Sequence, residues 1–151
     1  MQLRPPWALD DFSFTENCTQ CGSCVEVCPT GLIAHGHAGY PIVNFTNAEC
    51  TFCGACKDAC DAGCFDGEAG RPWTLKASIS KVCVELKGVA CRICQDTCEA
   101  GAIRFRPQLG GRYVPEISNG DCIGCGACIA PCPVSAVSIA NQQITTSEVT
   151  P

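Results

Sequence analysis

The 151-residue sequence predicts an α+β fold in which one small unit is used four times and grouped into two modules. The unit is a short strand, a cysteine-bearing loop, a short helix and a second strand. Three observations predict it. First, the spacing C-x2-C-x2-C-x3-C occurs at Cys18, Cys21, Cys24 and Cys28, at Cys50, Cys53, Cys56 and Cys60, and at Cys122, Cys125, Cys128 and Cys132. A stretched copy, with seven residues after its first cysteine, is formed by Cys83, Cys91, Cys94 and Cys98. Second, the motif starts step by 32, 33 and 39 residues, and the last step returns to 34 without the five extra residues of the stretched motif. Repeats of this length mean one supersecondary unit used again and again. Third, each fourth cysteine is followed by the same small element, PTGLI, DAGCF, EAGAI or PVSAV, and the first three of these lead on to a glycine turn and an apolar stretch.

The last motif, CIGCGACIAPCP, has the C-x2-C-x2-C-x3-C-P spacing of a bacterial ferredoxin [4Fe-4S] loop, so the fold is expected to be bacterial ferredoxin-like. Three thiolates two residues apart converge only if the loop wraps one object, and Gly124 and Gly126 let the backbone come close to it. The fourth cysteine, expected at the start of a short helix, points away and serves a neighbouring cluster. Sixteen cysteines are thus the expected ligands of four [4Fe-4S] clusters, the module pair being two dicluster units.

Seventeen cysteines in 151 residues also suit a disulfide scaffold, where more than about 8 to 10% cysteine is the usual signature. The odd count, the closely spaced triplets and an N-terminus, MQLRPPWALDD, without a charged-then-apolar pattern argue against that. Structural zinc needs two pairs of ligands and leaves the third cysteine of each triplet unexplained. No apolar run approaches the roughly 18 residues of a membrane span, which predicts a soluble chain in a reducing cytoplasm. Arg4 is the only arginine before residue 70, so a twin-arginine signal is not expected either.

The formal charge of -5 omits the clusters. Four oxidised cubes with their thiolates, at about -2 each, bring the holoprotein to about -13, which disfavours nucleic acid as a partner. The charge is uneven: residues 1 to 70 carry -7, residues 71 to 112 carry +5 and residues 113 to 151 carry -3.

In chain order, residues 1–17 are expected as an extended arm, because Pro5 and Pro6 oppose helix, with the Trp7 indole covering the core or serving as a docking side chain. Asp11 to Thr15 alternates polar and aromatic residues and reads as a short strand. Four repeats follow at 18–49, 50–82, 83–121 and 122–151. Second strands are expected at Tyr40–Phe45, Pro72–Ile79 and Arg112–Ile117, with Gly36, Gly39, Gly67, Gly70, Gly110 and Gly111 in the turns. Cys64 falls in the slot held by Leu32, Ala102 and Ala136 and reads as a small buried hydrophobe. His35 and His37, in a glycine-flanked turn, read as solvent-exposed, and Arg104 and Arg106 as the wet face of a strand. No catalytic triad, carboxylate pair or phosphate loop stands out, so the chain is not expected to be an enzyme.

Cubes with four thiolate ligands leave no open iron, so one-electron transfer is the expected chemistry. Backbone N–H groups and the cationic residues from Lys76 to Arg112 would then tune the potentials. Two ligand-sharing schemes are open. Near-equal spacing supports sequential pairing, repeat one with two and three with four. Pro29 and Pro133, against Asp61 and Glu99, support nested pairing of one with four and two with three.

RPPW, GYPIVNF, ECTFCGAC, CRICQDTCEAGAIRFRP and CIGCGACIAPCPVSA together resemble the NapF family of ferredoxin-type proteins of periplasmic nitrate reductase systems, over nearly the whole chain. The stretched third motif with RFRP is the specific part. The resemblance implies a cytoplasmic protein with several [4Fe-4S] clusters that contacts the catalytic molybdenum subunit before export and takes part in its maturation. It also implies kinship with the iron–sulfur subunits of dimethyl sulfoxide reductase-like enzymes, which favours nested pairing slightly. Asp61 and Glu99, where simple ferredoxins have proline, depart from the pattern. Three functions compete: an accessory protein that reduces or matures the nitrate reductase precursor, an electron-transfer subunit of a membrane-associated oxidoreductase, and a binding chaperone with structural clusters.

Overall fold

The computed structural model describes residues 3–66 and 72–141, so Gly67 and Gly70 and the end of the fourth repeat lie outside it. Regular elements are short. Helix α1 spans Asp11–Asn17, and α2 (Ser23–Glu26), α3 (Ala55–Asp58) and α4 (Ile93–Asp96) are single turns. The strands are β1 (Ile33–His35), β2 (Pro41–Val43), β3 (Leu75–Ile79), β4 (Ile103–Gln108), β5 (Arg112–Ile117) and β6 (Val137–Asn141). They form three antiparallel pairs, β1 with β2, β3 with β6 and β4 with β5.

In the C-terminal half the pairing of β3 with β6 closes the two ends of the half on each other, around the β4–β5 hairpin. The strand at Leu75–Ile79, which precedes the stretched motif, therefore belongs to this sheet through Leu75 opposite Asn141 and Ile79 opposite Val137. The N-terminal half has the β1–β2 hairpin, but its outer pair is reduced to one bridge, Ala8 with Phe65. Around that bridge the Leu9 amide donates to the Cys64 carbonyl at 3.0 Å and the Asp66 amide to the Trp7 carbonyl at 2.8 Å.

Two expectations fail locally. The stretch from Asp11 to Thr15 is helical rather than a strand. Asp10 caps it, accepting from the Ser13 amide at 3.1 Å and the Ser13 hydroxyl at 2.7 Å, and capping of the first-turn donors outweighs a two-residue aromatic alternation. Only Phe14 of that alternation is buried, at 0% exposure against 75% for Phe12. Secondly, the single-turn helices contain the third cysteine of the first three motifs and end before the fourth, whereas the spacing alone places the fourth at the helix start. A backbone wrapped through the first three cysteines continues into a turn directly.

The arm is pinned. The Arg4 side chain donates to Asp11 at 2.7 Å and to the Pro41 carbonyl at 3.2 Å, with its guanidinium 5.1 Å from the Phe14 ring centre and 5.5 Å from that of Tyr40. Trp7 meets Phe52 edge-on at 6.4 Å, and Phe52 meets Trp73 at 5.6 Å.

Cysteines make up part of the core itself. One buried group contains Cys24, Leu32, Ile33, Val43, Phe45, Cys56 and Leu75, the other Ala77, Cys94, Ala102, Ile103, Phe105, Cys122, Cys128 and Val137. Ile129 packs against both. The halves meet where Phe45 and Trp73 press on the last cysteine loop. A Cβ on Gly126 would lie 2.1 Å from the Phe45 ring, and one on Gly124 would lie 2.5 Å from the Leu75 carbonyl oxygen. The sequence explains these two glycines by room for a metal core; protein packing against them demands their bare backbone as well.

Gly126→Ala is therefore expected to cost about 3 kcal/mol, from overpacking plus a left-handed φ. Gly63→Ala, at φ +69 with open space beside it, should cost only the backbone term of about 1 kcal/mol. Anaerobic guanidinium denaturation of the two variants measures this; equal midpoints would contradict the packing argument.

Candidate functional site

The tight loops curl because left-handed residues alternate with right-handed or extended ones. Gln20 and Gly22 (φ +57, +84), Phe52 and Gly54 (φ +54, +80), and Gly124 and Gly126 (φ +76, +84) occupy the same two positions in three motifs. Holding Gln20 and Phe52 there costs on the order of 1 kcal/mol each, a strain kept only where something else fixes the loop. The stretched motif curls differently. Its insert makes a short 3-10 turn at Glu85–Lys87, and the buried Glu85 carboxylate accepts from the Cys91 amide at 2.5 Å, tying the end of the insert to its start.

The result is four small cavities of similar size, spanning about 390, 330, 320 and 350 Å³ with the adjoining open solvent included. The first is lined by Cys18, Cys21, Cys24 and Cys60, and also by Cys64. The second has Cys28, Cys50, Cys53 and Cys56. The third has Cys83, Cys91, Cys94 and Cys132, and the fourth Cys98, Cys122, Cys125 and Cys128. All sixteen expected ligand positions are brought to a cavity, four to each. The grouping is sequential, each fourth cysteine crossing to the other loop of its own half. The nested preference is thereby corrected: Cys60 faces the first loop rather than the third, and Cys28 the second rather than the fourth. Each fourth cysteine lies only about one turn beyond the third, and so reaches no farther than the neighbouring loop.

Charge and burial say what belongs in these spaces. Burial, with the charges of Cys18, Cys56, Cys21 and Cys60 adding to it, pushes the Cys24 thiol up to about 11. Burial likewise carries Cys50, Cys56 and Cys94 to about 11 and Cys128 to about 12. Such a set resists becoming thiolate until a cationic core sits among it. Each foursome lines one cavity, the arrangement an iron–sulfur core with a thiolate at every corner would need. Donors to sulfur are already in place: the Phe52 amide is 3.4 Å from Cys50 Sγ and the Ala136 amide 3.2 Å from Cys132 Sγ. The Ser23 hydroxyl, 3.4 Å from Cys21 Sγ, holds that thiol below its ordinary range.

Three cavity walls escaped the sequence reading. Trp7 covers the second cavity rather than a general core. His35 is exposed, as is His37, yet it lines the first cavity. Cys64 is buried at 1% exposure and lines that same cavity. Burial first, then its hydrogen bond with Cys60 and the charges of Cys60 and Cys18, pushes its thiol up to about 12. The signal was present in the slot alignment, since Leu32, Ala136 and Ala102 line the other three cavities. The Lys76 ammonium donates to the Cys122 carbonyl, which brings one of the expected cations to the fourth loop. Arg104 and Arg106 stand on the exposed face of β4, the latter paired with Glu116 at 2.6 Å.

The cavities are also adjacent to one another. Cys56 stands among the charges that act on Cys24, joining the first cavity to the second. The Cys50 amide donates to the Cys125 carbonyl at 2.8 Å, a direct link from the second cavity to the fourth across the two halves. The buried core of the C-terminal half then holds Cys128 of the fourth cavity and Cys94 of the third.

This pairing predicts that Cys60→Ser and Cys21→Ser alter the same paramagnetic signal and each cost about four of sixteen irons, one cube of four. Electron paramagnetic resonance with iron counts checks it, and two different altered signals would restore nested sharing.

Family models described as "4Fe-4S dicluster domain" match residues 15–65 and 87–136. The chain is 46% identical over 136 residues to the "Ferredoxin-type protein NapF" of Escherichia coli, covering 90% of this chain and 83% of that one. It is 47% identical over 137 residues to the "Ferredoxin-type protein NapF" of Haemophilus influenzae, covering 91% and 78%. A more distant similarity, 35% over 130 residues, covers 83% of this chain and 47% of a component of the ion-translocating oxidoreductase complex from Methanosarcina acetivorans. Two matched dicluster domains and seventeen cysteines correspond to 4Fe-4S clusters, about four in number. The chain belongs to the NapF family of ferredoxin-type iron–sulfur proteins.

Proposed function

We propose that this chain is a cytoplasmic electron-transfer accessory of a periplasmic nitrate reductase system, which binds the catalytic-subunit precursor and assists its reduction or maturation. The observation that carries the reading is the file of four cysteine-lined cavities running first, second, fourth, third through both halves. The family membership supports the nitrate reductase context.

In this reading the sixteen lining cysteines other than Cys64 are the ligands: Cys18, Cys21, Cys24 and Cys60; Cys28, Cys50, Cys53 and Cys56; Cys83, Cys91, Cys94 and Cys132; Cys98, Cys122, Cys125 and Cys128. The clusters supply one-electron chemistry when bound. The chain's own residues do the rest. Buried third cysteines and apolar walls such as Phe14, Leu32 and Ile79 exclude water from the cavities. Loop amides and the Ser23 hydroxyl donate to sulfur and stabilise added negative charge. Lys76 does the same beside the fourth loop. The Cys50 amide and the Cys125 carbonyl hold the middle pair together, so an electron has a short covalent and hydrogen-bonded path between halves. Cys21 and Cys53 are exposed, which leaves the edges of the first two cavities within reach of a partner surface.

The similarity to a component of an ion-translocating oxidoreductase complex favours a second reading, routine electron delivery within a membrane-associated assembly. Among the described residues no helix is long and apolar enough to cross a membrane.

Anaerobic pull-down separates the two. The holoprotein is expected to capture the signal-bearing precursor of the catalytic subunit at least tenfold better than the mature form, and to reoxidise quickly in its presence. Equal capture of both forms would favour routine delivery, and reoxidation no faster than with buffer would leave the clusters structural only.

A further inference from the structure

The four cavities are not chemically equal. Three are lined by four cysteines each, and the first by five. The fifth, Cys64, stands four residues after Cys60, the slot that Leu32, Ala102 and Ala136 fill after Cys28, Cys98 and Cys132. All four slot residues are buried to 2% exposure or less and all four line their cavities. An alkyl group in this slot offers the neighbouring sulfurs nothing, whereas a thiol offers an S–H. The Cys64 side chain lines the first cavity together with those of Cys60 and Cys18. Its backbone is held from outside, its carbonyl accepting from the Leu9 amide at 3.0 Å, and its side chain is buried on the cavity wall.

We propose that Cys64 is a positioning residue for the first cluster: its S–H donates to a ligand sulfur on the shared cavity wall, that of Cys60 or Cys18, and raises that cluster's reduction potential above what the bare loop would give. The inference rests on the ligand assignment proposed above. Its physics is that a donor to a ligand sulfur stabilises the more negative, reduced state more than the oxidised one. The chain thereby distinguishes the end of the file that carries the exposed Cys21, where electrons settle, from three clusters that lack the donor.

The test is a reductive titration of the anaerobic full-length holoprotein followed by electron paramagnetic resonance, with iron counted per chain. Cys64→Ala is expected to keep about sixteen irons, four per cube. One signal, the one that Cys60→Ser abolishes, should shift in the reducing direction by about tenfold in its equilibrium constant, about 59 mV for one electron. Cys64→Ser, which keeps a donor, should recover most of that shift. An unmoved potential in Cys64→Ala with sixteen irons overturns the inference while leaving the ligand assignment standing. Loss of one cluster's iron in Cys64→Ala overturns it in favour of Cys64 as a ligand. Parallel shifts of all four signals overturn it in favour of a general packing effect. Wild-type protein with far fewer than sixteen irons would sink the ligand assignment itself.

Discussion

Everything in this fold depends on how buried thiols are held close together. Four loops bring the sulfurs of four cysteines around a void, and burial and mutual repulsion drive the innermost thiols to about 11 or 12. Protein forces alone do not favour that arrangement. Three of the four helices are single turns, the longest strands have six residues, and cysteines contribute to both buried cores. A cationic core ligated by the thiolates would turn the repulsion into attraction, and cofactor binding and folding are then expected to be one equilibrium. The strained backbone at Gln20 and Phe52 and the aromatic wall of Trp7, Phe52 and Trp73 are consistent features of such a fold.

Cysteine spacing made the cofactor class and the number of sites legible, because only a loop wrapped around one object needs thiols two residues apart. The burial of Cys64 and the wet face at Arg104 and Arg106 were legible from register alone. Other features depend on contacts that a linear pattern does not carry. The Asp11–Thr15 helix turned on a side-chain cap at Asp10. Ligand sharing turned on which way a single helical turn points, and the proline pattern that favoured nested sharing had no bearing on it. A metal core accounts for Gly124 and Gly126 in the sequence, and the ring of Phe45 and the backbone of Leu75 were invisible until the halves were packed. The wall position of Cys64 is an intermediate case: the slot was identified, but its view into a cavity needed coordinates.

The same contacts give the chain a direction. The cavities group in pairs within each half, and the Cys50–Cys125 hydrogen bond with the Phe45–Gly126 contact joins the two pairs into a single file. A stretched third motif, closed by Glu85, places one end cavity beneath an insert, whereas the opposite end has an exposed cysteine and a fifth thiol.

Far-ultraviolet circular dichroism during anaerobic iron chelation tests the central claim most directly. Ordered structure is expected to disappear in step with the iron, leaving a chain that melts without a cooperative transition. Iron-free protein that retained its secondary structure and melted cooperatively would show that the thiol-lined fold stands by itself, and the account would fail.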